Sequence, residues 1–291
     1  AAAAPSDLGP MQILADAHQA AIEGRSGKVW GLACRDRDSS FAVQGAFATL
    51  ARALNRSDVE RDCRAHFDAQ AMLGEFQGHV VDALQHPHAN HVIKQVLDVM
   101  PTEYLGLIAQ ELVGHGVWAA KHRFACRAVL RLARHCGRGT WASGCAEAVV
   151  DEVLQSAADL CGDEFGKFVL EELLERGLPE HRRRVLEALR ARLVRNAKHE
   201  HASFLIQRAL RICSTEDSMA IVNELLGSQD AVQALIRSQF GRYVLRDLAR
   251  SEGHAKSVRR ALVPFAAELQ ASKQGKRLLQ DLVTDASSAA K

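Results

Sequence analysis

The sequence predicts an all-α fold, a stacked α-solenoid of about seven repeats with three helical pieces in each. Three observations carry this. An eight-residue stretch recurs, beginning at Ser40 (SFAVQGAF), Asn90 (NHVIKQVL), Cys126 (CRAVLRLA), Lys167 (KFVLEELL), Ser203 (SFLIQRAL), Arg242 (RYVLRDLA) and Lys276 (KRLLQDLV), at spacings of 50, 36, 41, 36, 39 and 34 residues. Every copy is apolar at its third, fourth, seventh and eighth positions, which at about 100° per residue form one side of a helix. Six copies are preceded by Ala or Gly (Ala89, Ala125, Gly166, Ala202, Gly241, Gly275) and the other by Ser39. Small residues there suit a tight loop entering a helix that packs close to its neighbour.

The elements follow in order. Residues 1–28 hold a lead and, at 11–23, a helical spacing suited to capping the exposed apolar end of an array. Residues 29–35 lead into the Ser40 helix. The long first interval has its clearest loop at 55–58 (NRSD), with Ser57 or Asp58 as helix cap, and 78–85 (GHVVDALQ) is the helix before Asn90. From there each repeat reads as a short helix, a tight loop, a recognition helix and a third helix. The tight loops are HPHA (86–89), HRFA (122–125), DEFG (163–166), HEHA (199–202), SQFG (238–241) and KQG (273–275). A Gly-containing loop at 137–144 accounts for the 41-residue spacing, and Pro87, Pro101 and Pro179 fall at helix boundaries, where proline is tolerated. The array is expected over 29–283, with 284–291 a small-residue tail lacking periodicity.

Composition narrows the function. A net charge of +2 argues against affinity carried mainly by phosphate neutralisation, while leaving room for a local basic face. Seven scattered cysteines without a CxxC pair read as reduced intracellular thiols rather than a disulfide framework. No apolar run approaches membrane-spanning length, and the opening AAAAPSDLGP lacks the basic and apolar regions of a signal peptide.

The second position of the repeated stretch is the distinctive one. It holds Phe41, His91, Arg127, Phe168, Phe204, Tyr243 and Arg277, all planar side chains able to stack on a π-face. The first and fifth positions lie one helical turn apart on the same side, opposite the apolar one. In the fifth copy, Phe204 stands between Ser203 and Gln207. Two polar groups can touch the edge of a flat polar ligand while the ring covers its face.

CRAVLRLARHC (126–136), NHVIKQVLD (90–98) and GKFVLEELLERG (166–177) resemble the recognition helices of the Pumilio (PUF) family of single-strand RNA-binding proteins, and the resemblance covers residues 29–283. It implies a curved right-handed superhelix with recognition helices on the concave side. Each repeat would read one base with its first and fifth positions and stack it on the second. The RNA would run antiparallel, its 3′ end at the N-terminal repeats. Mapped residue by residue, Ser40 with Gln44 and Ser203 with Gln207 match the family's adenine pattern. Asn90 fits a uracil repeat with Lys94 in place of the usual Gln, and Cys126 fits adenine, with Leu130 unable to hydrogen-bond. Lys167 with Glu171 is atypical, and the two are candidates to pair with each other, while Arg242 with Arg246 and Lys276 with Gln280 depart from the pattern. Short Ser, Asn and Cys leave room for a base edge; long Lys and Arg fill it and find phosphates. Selection is therefore expected in repeats one, two, three and five, for a site N-N-A-N-(A)-U-A read 5′ to 3′, with salt-sensitive affinity from the C-terminal repeats. The implied partners are mRNA 3′ untranslated regions and recruited repressor or decay proteins, the implied role is translational control in the cytoplasm or alternatively a place in the nucleolus, and a monomer is expected.

No cofactor, metal or catalytic constellation is expected. His86, His88 and His91, and His199 and His201, sit in equivalent loops of different repeats, where loop hydrogen bonding explains them better than metal ligation. Asp163-Glu164 and Glu171-Glu172 lack a nucleophile, the glycines form no phosphate loop, and Arg182-Arg183-Arg184 reads as a solvated helix face. Two rival readings fit the same array: a low-specificity binder of structured RNA in ribosome biogenesis, and a protein-interaction scaffold of HEAT or armadillo type.

Overall fold

A computed structural model describes residues 9–25, 28–55, 63–136, 141–251 and 253–288. Among the described residues 80% are helical and none lies in a strand. Backbone contacts divide the chain into two compact units, Ala1–Gln155 and Ser156–Lys291, where the sequence suggested one undivided array.

In the first unit α1 (Pro10–Ile22) packs against the helices of the first repeat, α3 and α4, where α2 is Val29–Arg35, α3 Arg37–Leu54 and α4 Cys63–Gly74. Ile13, Leu14 and Ala17 of α1 are buried. The second repeat is α5 (Val80–Gln85), α6 (Ala89–Val99) and α7 (Gly106–Leu112), and the third is α8 (Gly116–Lys121), α9 (Cys126–Leu132) and α10 (Trp141–Gln155). Recognition helices α3, α6 and α9 pack side by side, burying Val43, Phe47, Val92, Ile93, Val96, Val129 and Leu132 between the layers. A carboxylate secures each short helix, from the third helix of its own repeat or the residue that follows it. Glu75 accepts from Val29 N–H at 2.9 Å. Glu111 accepts from Gly78 and Val80 N–H at 2.6 and 3.0 Å. Glu152 accepts from Gly114 and Gly116 N–H at 2.5 and 2.7 Å. Gly78 and Gly114 take φ of 77° and 85°, a turn that only glycine enters without strain.

The second unit repeats the plan. Repeat four is α11 (Ala157–Leu160), α12 (Gly166–Arg176) and α13 (Pro179–Arg190); repeat five is α14 (Leu193–Ala197), α15 (Ala202–Ile212) and α16 (Thr215–Leu226). Repeat six is α17 (Gln229–Arg237), α18 (Gln239–Ala249) and α19 (Ala255–Leu262); repeat seven is α20 (Ala266–Gln270) and α21 (Lys273–Ser288). Here α12, α15, α18 and α21 stack in sequence. The small residue before each recognition stretch is a packing requirement. A Cβ at Gly241 would stand 2.6 Å from the Leu235 carbonyl oxygen, and one at Gly275 2.1 Å from that of Leu269.

Three expectations change. SQFG and KQG are not loops: 239–241 and 273–275 form the first turns of α18 and α21. Ser238 makes this possible by capping its helix from outside the first turn. The tail expected from 284 is helical to Ser288. Ser57 and Asp58 lie outside the described residues, as do 137–140 of the Gly-containing loop.

One device recurs in all seven repeats. Four residues before each stretch, a side chain accepts hydrogen bonds from the backbone that opens the recognition helix. Asp36 accepts from Ser39 N–H at 2.7 Å. His86 Nδ1 accepts from His88 and Ala89 N–H at 3.2 and 3.3 Å. His122 Nδ1 accepts from Phe124 and Ala125 N–H at 3.4 and 3.3 Å. Asp163 accepts from Phe165 and Gly166 N–H at 2.9 and 2.8 Å. His199 Nδ1 takes the N–H of His201, Ser238 Oγ that of Gly241 and Ser272 Oγ that of Gly275. The loop histidines His86 and His199 therefore serve the loop's own hydrogen bonding.

Candidate nucleic-acid interface

The apolar stripe of each stretch faces inward: Val169, Leu170, Leu173 and Leu174 in α12 are buried, as are Val244, Leu245, Leu248 and Ala249 in α18. This phase turns the second position outward in every repeat. Phe41 is 73% exposed, Phe204 57%, Phe168 46% and Tyr243 36%, and His91, Arg127 and Arg277 are exposed as well. Exposed phenyl rings are costly in water, and nothing in their own repeats requires a ring at this outward position.

The fifth positions Gln44, Lys94, Leu130, Glu171, Gln207 and Arg246 are half-exposed and Gln280 is exposed. The first positions behave differently. Ser203 is 0% exposed, and Ser40, Asn90 and Cys126 are buried too. Each bonds to a main-chain carbonyl in a loop that opens a recognition helix, its own for Asn90, Cys126 and Ser203 and the next repeat's for Ser40. Ser40 Oγ donates to the His88 carbonyl at 2.9 Å, and Ser203 Oγ to that of Glu200 at 3.2 Å. Asn90 Nδ2 donates to the His86 and Pro87 carbonyls at 2.6 and 3.0 Å. Cys126 Sγ lies 3.8 Å from the Arg123 carbonyl oxygen. These short side chains, expected to stand open to a base edge, are buried against loop carbonyls in this structure. They tie the loops that open the recognition helices, and the outward polar group beside the stacker is the fifth residue in repeats one, two and five, Gln44, Lys94 and Gln207, whereas repeat three has the apolar Leu130 there. Gln44 and Gln207 spend their N–H on the Ser40 and Ser203 carbonyls, at 3.3 and 3.2 Å, keeping the amide oxygen as acceptor.

In the second unit the stackers flank grooves. One of about 470 Å³ between α12 and α15 is lined by Lys167, Phe168, Glu171, Phe204, Gln207 and Arg208. Lys167 does not take Glu171 as its hydrogen-bond partner: its ammonium donates to His201 Nδ1 at 3.0 Å. Glu171 instead faces the Arg208 guanidinium at 3.6 Å, and Arg208 also donates to Glu175 at 2.5 Å. Burial first and the neighbouring Glu175 second push the Glu171 carboxyl above its usual range, against Arg208. A second groove, of about 230 Å³ between α18 and α21, is lined by Gln239, Arg242, Tyr243, Arg246, Gln274 and Arg277. Arg242 donates to the Ile236 carbonyl at 2.8 Å, and Lys276 is exposed. In the first unit, burial foremost and then the charges of Lys94, Arg127 and His88 hold the His91 imidazole below its ordinary value.

Residue-by-residue reading missed Arg208, the bond between Lys167 and His201, and the ion pairs that join neighbouring recognition helices. Arg131, at the sixth position of its stretch, pairs with Asp98, one past the end of the preceding one. Arg208 and Glu175 occupy the same two places. Arg211 and Asp247, at 2.7 Å, use them with the signs reversed. The findable signal was an acid and a base about one repeat apart, at fixed positions.

A helical-repeat protein with one outward planar side chain per repeat is what the fold and this face define. The Pumilio-family RNA binding repeat matches residues 79–113, 156–190 and 197–226, which are repeats two, four and five. Pumilio homology domain family member 4 of Saccharomyces cerevisiae is 24% identical over 183 residues, covering 62% of this chain and 20% of that protein. A Pumilio domain-containing protein of Schizosaccharomyces pombe is 22% identical over 198 residues, 67% of this chain and 28% of that one. The chain thus spans less than a third of the length of these relatives. The solved Puf4 RNA binding domain bound to the HO endonuclease RNA 3′ UTR recognition sequence superposes with a TM-score of 0.66 at 17% identity, covering 94% of this chain and 90% of that one. PUF-8 in complex with PBE-RNA gives 0.67 at 15% identity, covering 94% and 85%. Three of its repeats thus match the Pumilio-family RNA binding repeat, and its fold is similar to that of the solved PUF domains.

Proposed function

We propose that the protein binds single-stranded RNA, one base per repeat, on the outward face of its recognition helices, and thereby takes part in post-transcriptional control of mRNA. The observation that supports this best is the outward row of Phe41, His91, Arg127, Phe168, Phe204, Tyr243 and Arg277 above a fully apolar inner stripe. Every base offers a π-face, so such a row holds a strand regardless of sequence, and selection comes from edge contacts beside each ring. Gln44 and Gln207 offer acceptors in repeats one and five, and Lys94 a donor in repeat two. Binding of 3′ untranslated sequences is suggested by the Puf4 domain, whose structure holds such an RNA. Silencing or decay of a bound message would need recruited proteins.

The groove at Arg242, Tyr243, Arg246 and Arg277 has no carboxylate in its lining. It favours sequence-tolerant, charge-driven contact in repeats six and seven, so selectivity there is low. Random-pool RNA selection on the full chain tests the reading. Enrichment should converge on a short single-stranded site with its most defined bases opposite repeats one, two and five. Phe204→Ala should weaken that site about five- to a hundredfold. Equal binding of the enriched site, a scrambled strand and a duplex would end this proposal.

A further inference from the structure

In the α18–α21 groove Arg246 stands over the single ring of Tyr243 at 5.1 Å, whereas the α12–α15 groove holds one cation against two stacking rings. Lys167 extends from the first position of its stretch until its Nζ lies 4.9 Å from the Phe168 ring centroid and 5.8 Å from that of Phe204. Both distances are within cation–π range. The same ammonium donates to His201 Nδ1 at 3.0 Å, in the turn that opens α15. The two rings are the stacking positions of neighbouring repeats. Where a base would be covered by both, a cation is held by both and tied down by a third group. Glu171, the nearest carboxylate in the groove, is engaged by Arg208 and does not draw the ammonium away.

Resting on the RNA-binding reading, we infer that Lys167 is a built-in plug of the base slot between repeats four and five. A base enters this slot only when Lys167 leaves both rings and His201, so the protein gains little from stacking there and selects no base at that step. This opposes the ordinary expectation for a lysine on an RNA face, which is a phosphate contact that strengthens binding.

The two roles predict opposite signs. Lys167→Ser, which restores the short side chain found in repeats one and five, and Lys167→Met, which keeps the apolar stem without the charge, should both bind single-stranded RNA about three- to tenfold more tightly than the parent. Selection from a random pool should then show a preferred base at one additional position. The slope of affinity against salt should not change. Weaker binding with a slope reduced by about 0.7 would mark Lys167 as a phosphate contact and overturn the inference. So would an unchanged base preference. An RNA-free measurement separates this from the RNA-binding reading itself: amine-reactive labelling of the free protein read by mass spectrometry. Lys167 should label more slowly than the exposed Lys273 and Lys276, and His201→Ala should speed it. Labelling of Lys167 as fast as those two would sink the plug whether or not RNA binds; slow labelling with no RNA bound would sink only the RNA reading.

Discussion

Ser203 and Gln207 sit one turn apart on the same helix, yet the structure gives them different work. Ser203 is sealed and bonded to Glu200, whereas Gln207 lines the groove with a spare acceptor. Gln207→Ala should relax base selection at one position and leave the unfolding midpoint unchanged. Ser203→Ala should cost about 0.5–1.5 kcal/mol of stability, measured by urea unfolding, with a smaller effect on selection. His91 adds a proton to the account. Free, it is held neutral below the ordinary 6.5 by burial, Lys94, Arg127 and His88. A phosphate offsetting those charges raises its pKa, so binding takes up a proton and affinity should rise as pH falls from about 7 to about 5.5. Anisotropy titrations at several pH values, with His91→Phe as the pH-flat control, check this.

The recognition helices are positioned by acceptors that stand outside them. His122 must be neutral to accept from Phe124 and Ala125 N–H, and burial, then Arg123, lower its pKa. The sign follows: as pH falls past the ordinary histidine value the unfolded chain binds the proton first, so stability drops, and it recovers above that value. His122→Asp places there the acceptor that Asp163 provides in repeat four, and should flatten the change in thermal midpoint between pH about 7.5 and 5.5. Removing a clasp carboxylate should be costly at any pH. Glu111→Ala leaves Gly78 and Val80 N–H without their acceptor and should lose about 1–3 kcal/mol in urea unfolding. These elements differ in how far the sequence revealed them. The seven stretches were legible because four apolar positions recur in one phase. The buried first positions were not, because Ser40, Asn90 and Ser203 read as open polar groups until the loop carbonyls behind them are placed. SQFG read as a loop because Ser238 and Gly241 are turn residues by type. Here the first caps the helix and the second allows the close approach to Leu235.

For the molecule as a whole, a net charge of +2 conceals an uneven distribution. Arg242, Arg246 and Arg277 gather in one groove without a carboxylate, while in the α12–α15 groove Arg208 is paired with Glu171 and Glu175, and Arg211 with Asp247. Salt sensitivity should therefore reside in the C-terminal repeats. Arg246→Gln with Arg277→Gln should lower the slope of log affinity against log salt by about 0.7 for each phosphate left unneutralised, with the enriched bases unchanged. The reversed pair at Arg211 and Asp247 bears on shuffling modules. Arg208 meets an acid at the end of the stretch before it, and Asp247 meets a base. Grafting repeat six directly behind repeat four would set Asp247 against Glu175, like against like. The polarity of that contact acts as a key that fixes which neighbour each cassette accepts, so transplanted modules will join well only if this lock is recut with them.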